Sequence, residues 1–287
     1  MAQLGVMAKL PGNKQLCDPN GRPLGTLRDL NLLEARHKER IYSGIIPPRL
    51  FTMLDISPET LCGTDGKRKV RFIAPEGLGL LRIEVRMASY DRDPVFFLDI
   101  ADTHFRQMDL SFCIINDLQS PRFDVDLDSN GCDNCFASLG RNISEEVRAM
   151  AAGLFPNQTH RGLRLFAEFF PMFERFVDAL GMEMIVAEPL TYDNAIRYEK
   201  YGFDYLTGRR LMQQINEGFK PGGDLYRKLD NSSAFRMQGM ERTIHGRSWA
   251  IHDYIMDAPW DGVQIYKMIG ENAGINTFPE QTTSQDG

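Results

Sequence analysis

Long apolar runs are missing from this chain of 287 residues. No stretch approaches the roughly 18 consecutive apolar residues of a membrane-spanning helix, so no span is expected. The opening MAQLGVMAKLPGNK also lacks the continuous apolar centre of a secretory signal, which makes the cytoplasm the expected location. Cysteine is scarce: five residues, an odd number on a long chain, do not suggest a disulfide framework. The N-x-S/T triplets at Asn142, Asn157 and Asn231 then read as chance matches. Nor is there an excess of positive charge. Lys and Arg number 33 against 39 Asp and Glu, a net charge of −6, which argues against a nucleic-acid or anionic-membrane partner. Internal repeats and low-complexity segments are absent too. What remains, 43% hydrophobic and 25% charged, is ordinary for a globular protein with one large domain or two small ones.

Metal signatures are incomplete. Cys132 and Cys135 form a C-x-x-C without the second pair that a zinc site needs. Asp126-Leu-Asp128-Ser-Asn130-Gly131 matches the first half of a calcium loop, but Ala137 stands where the bidentate Glu belongs. His245 and His252, seven apart on a helix, are about 10 Å from each other, too far to share one ion. No metal is expected.

Taken in order, Lys14 to Thr26 reads as a hairpin around Pro19-Asn20-Gly21-Arg22. Leu27 to Ile41 reads as a polar-rich helix and Arg49 to Ile56 as a short second one. From Lys69 to Asp126, the segments KVRFI, LLRIEV, PVFFLDI, LSFCII and RFDVD are rich in β-branched and aromatic residues. Turn clusters separate them, so an antiparallel meander of four or five strands is expected. A helix from Ser144 to Leu154 follows, with Ser144 as its cap.

The stretch from Asn157 to Phe203 organises the rest. Leu163, Phe166, Phe170, Phe173, Val177 and Leu180 recur at three- and four-residue spacing and predict a long amphipathic helix, capped by Thr159 and stopped by Gly181. Pro171 should bend it. Met184 to Val186 is too short for a helix and reads as a buried strand. A second helix begins at Thr191 or Asp193 and closes at Gly202. Beyond it, DYLTG reads as a strand and RRLMQQINEGF as a helix. The expected class is α+β or α/β: a mixed, mostly antiparallel sheet flanked by helices. The sheet should include a parallel pair between the strand ending near Asp126 and the strand at Met184. By this reading, residues 1–220 form the main domain with a core at about 69–207, 221–270 form a helical extension packed on it, and 271–287 form a disordered tail.

Tyr198-Glu-Lys-Tyr-Gly-Phe203, on a helix after a strand, resembles the Y-x-K-x-G-F end of the GCN5-related N-acetyltransferase (GNAT) superfamily. The meander, helix, strand, helix, strand order also resembles that family. The resemblance implies that Tyr198 protonates a departing coenzyme A thiolate. It further implies that the start of the long helix, at Gln158, His160, Arg161 and Gly162, holds the pyrophosphate of acetyl-CoA or another acyl-CoA, since a helix N-terminus is an anion site. Arg164 and Phe166, or Arg161 and Leu163, stand where the family has small residues. A general base for the amine would come from Asp124, Asp126 or Glu188. The implied activity is acyl transfer from a thioester, on coenzyme A or an acyl carrier protein, to a small-molecule amine. The rival is a GNAT-like module that binds without catalysing. A homodimer is left open.

Overall fold

The computed structural model describes residues 15–279. They fall into two compact units. The first comprises the chain up to Ser120 together with Arg161–Ala187 and Met268–Gly270. The second comprises Pro121–His160, Glu188–Lys267 and the chain from Glu271. The architecture is mixed α+β and its strand pairs are mostly antiparallel.

In the first unit, a bridge between Cys17 and Pro23 closes the expected N-terminal hairpin; Lys14 lies outside the described residues. The expected Leu27–Ile41 helix is two helices, α1 (Leu27–Asn31) and α2 (Ala35–Ser43). Thr26 caps α1, accepting a hydrogen bond from the Asp29 N–H at 3.0 Å. The Asp102 carboxylate takes the N–H groups of Leu27 and Arg28 at 2.9 and 3.0 Å, so an anion sits at the positive end of α1. A third helix, α3 (Pro48–Met53), starts with proline at its first position, where the missing N–H is harmless.

The sheet of this unit runs β1 (Val70–Ile73), β2 (Leu80–Val85), β3 (Phe96–Asp102), β4 (Met108–Ile115), each antiparallel to the next. RFDVD is not a fifth strand. Arg122 folds it into a turn through ion pairs to Asp124 and Asp126, and the apolar residues Phe123 and Val125 fill a core instead. The parallel partner is therefore β4, not a strand ending at Asp126. Met108 pairs with Ile185 and Asp109 with Val186 of β5 (Met184–Ala187). The register holds for those two pairs; β5 ends at Ala187 while β4 continues to Ile115.

Between β4 and β5 in sequence, but beyond the second unit's first segment, comes the long helix. It runs from Phe166 to Ala179, after α4 (Ile143–Ala151), and is α5. Phe169, Phe170, Phe173, Phe176 and Val177 are fully buried, as their spacing predicts. Phe169 meets Phe96 of β3 edge-on at 5.7 Å, and Phe176 meets Tyr42 of α2 at 6.4 Å. α5 thus covers one face of the meander.

The second unit contains α4, α6 (Tyr192–Glu199), β6 (Asp204–Thr207), α7 (Arg209–Gly218), α8 (Asp224–Arg227), a 3₁₀ turn at Met240–Arg242, α9 (Ile244–His252) and all but the last residue of β7 (Gln264–Met268). Asn142, not Ser144, caps α4. The expected helical extension therefore carries a strand as well: β7 runs antiparallel to β6, with Tyr205 opposite Ile265. Phe123, Val125, Ala149, Leu154, Phe235 and Trp249 form its core cluster. Beside that cluster lies a buried charge network. Arg141 grips Glu146 by its fork and Asp253 at 2.9 Å, His252 meets Glu146 at 3.3 Å, and Arg236 meets Asp253 at 3.1 Å.

Candidate functional site

The hexapeptide from Tyr198 to Phe203 begins in the last turn of α6. Tyr192, Ala195, Ile196 and Glu199 fall at i, i+3, i+4 and i+7, and all four are buried, so this is the face turned to the interior. Gly202, in the left-handed region at φ 87°, then stops the helix. Tyr198 sits next to this face, half-buried, with its ring 4.9 Å from that of Phe203.

Glu199 is the unusual member of the stripe, a carboxylate at a core position, 4% exposed. A buried anion must be held by donors, and three reach it. The Tyr205 hydroxyl donates to Oε1 at 2.5 Å, the Thr277 hydroxyl to Oε1 at 2.6 Å and the Thr277 N–H to Oε2 at 2.9 Å. Burial and the neighbouring Glu199 charge push the Tyr205 phenol far above its ordinary range. Burial also pushes Tyr192 up to about 12, opposed by the nearby Arg247 charge.

Thr277 belongs to the stretch that the composition marks as the start of a disordered tail. Residues 271–279 instead lie against α6, while residues 280–287 fall outside the described residues. The Ala273 N–H bonds the Gly202 carbonyl at 3.2 Å. A Cβ at Gly202 would stand 3.0 Å from the Asn272 Cα, so glycine is required there on two counts. Phe278 lies under the buried Arg247 guanidinium at 4.5 Å, and Arg247 also donates to Asn216 at 2.9 Å and to the Glu241 carbonyl at 2.7 Å. An open pocket of about 240 Å³ separates this strap from α7, with Arg209, Gln213, Asn216 and Thr277 in its wall.

No protein-family profile matches the chain, and no curated protein or solved structure is significantly similar to it.

The other candidate residues fall in different places. Asp124 and Asp126 are brought together, both paired with Arg122 in a turn. Glu188 is exposed just past β5 and accepts the Gln264 amide at 2.7 Å. Gln158 turns inward on its own loop, accepting the Phe155 N–H at 2.9 Å. His160 is buried. None of Gln158, His160, Arg161 and Gly162 is at a helix start, which corrects the expectation. Gly162 bridges Asn116, and the Arg161 carbonyl accepts the Asp117 N–H at 2.8 Å, so the chain runs extended along the end of β4. Arg164 then turns through the left-handed region at φ 58°, and the helix cap is Leu165 rather than Thr159. Arg164 is exposed and does not fill a cradle.

Sequence reasoning missed Glu199 and Thr277. The first had a signal: a glutamate seven residues after Tyr192 on an otherwise apolar helical stripe. The second had none.

Among the described residues, no group of three or more His, Cys, Asp or Glu is placed to hold a metal ion, and no helix is long and apolar enough to cross a membrane. The C-x-x-C cysteines are exposed thiols. Asp128 spends its carboxylate on the Asn130 and Cys132 N–H groups of its own turn, at 2.8 and 2.9 Å.

Proposed function

We propose that the protein is an N-acyltransferase of GNAT type that moves an acyl group from a thioester to an amine. The observation that carries the reading is the order of elements: an antiparallel meander, a long helix, and a strand that rejoins β4 in parallel for two residue pairs only. A parallel pair that parts company so early leaves the middle of β4, between Asp109 and the Gly162 bridge at Asn116, as a strand edge beside which an extended amide-bearing arm, such as the pantetheine of coenzyme A or of an acyl carrier protein, can add by strand-like pairing. The resemblance at the end of α6 supports it independently, with Tyr198 in the last helical turn before Gly202 and Phe203.

In this reading the amine attacks the thioester carbonyl and a C–N bond forms. The tetrahedral intermediate then collapses with cleavage of the C–S bond. The Tyr198 phenol gives its proton to the departing thiolate, and the proton lost by the amine goes to a carboxylate. Glu188, exposed and holding one amide hydrogen bond, is better suited to that task than Asp124 or Asp126, which Arg122 occupies. With Arg161 displaced from the helix, the donor phosphates would rest on the N-terminus of α5, which has no side-chain cap.

One observation favours a second reading, a GNAT-like module without catalysis. Glu199 and Gly202, within the resembling hexapeptide, are used to hold the strap at 271–279, so part of the motif has a structural use. Calorimetric titration with coenzyme A, acetyl-CoA and a long-chain acyl-CoA separates the two. Saturable binding supports the enzyme. No binding at about 1 mM, an affinity weaker than roughly −4 kcal/mol, favours the second reading.

A further inference from the structure

A wider cavity than the one beside the strap lies in the first unit, next to α2 and α3. It is an open groove of about 590 Å³ between α2, the end of α3 and the loop at 58–61. Its volume falls in the range of small-molecule sites.

The walls have a definite chemistry. Three arginines and two glutamates line it. Glu39 is spoken for by Arg68 at 2.8 Å, and Glu59 takes the Ser57 hydroxyl at 3.0 Å. Arg36 and Arg40, one turn apart on α2 and both exposed, have neither an acidic nor a hydrogen-bonding partner among the described residues. Two guanidinium forks at i and i+4 project from the same helical face, a spacing suited to one anion between them. Below them the floor is apolar: Phe51 and Leu61 line the groove and are 4% and 5% exposed. Leu61 holds a left-handed backbone, φ 60°, a conformation that costs a β-carbon residue about 1–2 kcal/mol. Hydrogen bonds fix it on both sides, from its N–H to the Ser57 carbonyl and from the Lys69 N–H to its own carbonyl. A strained residue held in place at a cavity wall is what a preformed site shows.

We propose that this groove is a second binding site, for a small amphiphilic anion. The ligand's carboxylate or phosphate lies between Arg36 and Arg40, and its apolar body lies over Phe51 and Leu61. The site is independent of the acyltransfer reading, since it uses none of the residues assigned to that chemistry.

The test titrates the full chain with octyl phosphate, octanoate, inorganic phosphate and octanol, following backbone amide shifts or heat. Octyl phosphate and octanoate should both bind, and the stronger of the two identifies the headgroup. Inorganic phosphate and octanol, each lacking half of the ligand, should bind at least about tenfold more weakly. The double variant Arg36→Gln, Arg40→Gln changes only exposed side chains and should weaken octyl phosphate about tenfold or more, whereas Arg71→Gln on β1 should not. Absence of binding by either amphiphile at about 1 mM overturns the proposal. So does octanol or inorganic phosphate binding as tightly as octyl phosphate, or unchanged affinity in the double variant.

Discussion

Arg141→Met is the perturbation whose outcome the structure determines most closely. The Glu146 carboxylate is 1% exposed and depends on two partners: the Arg141 guanidinium, through Nε at 2.9 and 3.1 Å and through Nη2, and the His252 imidazole at 3.3 Å. Burial alone pushes the Glu146 carboxyl up. The bonds from His252 and Arg141 outweigh it and hold the group below the usual carboxylate range. A carboxyl lowered on folding adds stability above its unfolded pKa and loses it as the pH falls through the folded one. Methionine keeps the stem of Arg141 but leaves the anion with His252 alone. Breaking one side of a buried ion pair costs about 3–5 kcal/mol, most of it the penalty of an uncompensated buried charge. Asp253, the other partner of Arg141, keeps Arg236 and Ser233 and should add little. The expected loss is therefore about 3–5 kcal/mol at about pH 7. It should shrink towards about pH 5, because the variant's Glu146 can then protonate. Arg141→Met with Glu146→Leu should recover most of the loss, since replacing both partners removes the stranded charge. Urea unfolding followed by the emission of Trp249, whose ring lies 5.6 Å from that of His252, reads all three. A single-variant loss under about 1 kcal/mol, or an equal loss at both pH values, would refute the reasoning.

Other perturbations test other parts of the structure. Phe170→Ala removes a ring that is 1% exposed and stacked 5.8 Å from Phe166, and should cost about 3–5 kcal/mol in thermal or urea unfolding; a loss under about 1 kcal/mol would mean the α5 stripe is not core. Thr277→Val strips one donor from the buried Glu199 and should cost about 1–3 kcal/mol, with faster amide exchange concentrated at residues 271–279. Exchange unchanged in that stretch would show that the strap is held by something other than Glu199. On the proposed reaction, Tyr198→Phe should lower kcat by roughly 10²–10⁴-fold while donor binding changes little; equal kcat in the two proteins would remove Tyr198 from the mechanism.

The elements legible in the sequence were those with a strong period. The α5 stripe, the four meander strands and the short strand at Met184 lie where their apolar spacing puts them, because a buried face constrains every third, fourth or second residue. RFDVD alternates just as well and is a loop. Its Phe123 and Val125 do face a core, but Arg122 closes the backbone into a turn, and alternation cannot distinguish the two. The start of α5 was misplaced by several residues because Thr159 has the composition of a cap. What decides the start is Arg164 in a left-handed conformation, which residue type does not announce. β7 was hidden inside a segment chosen as helical for its apolar content, and its partner β6 lies far away in sequence. The strap was hidden for the opposite reason: its residues are polar, and Thr277 is buried because a charge inside the protein requires a donor.

The central claim is acyl transfer from a thioester to an amine, and the release of free thiol measures it directly. Purified protein is mixed with acetyl-CoA, with long-chain acyl-CoA and with an acylated carrier protein, each in the presence and absence of a pool of small amines. Thiol appearing with at least one donor, dependent on an amine and matched by a new amide in the mass spectrum, is the result expected. No thiol above the uncatalysed rate from any donor, with every amine recovered unmodified, would contradict the account and leave a binding module in its place.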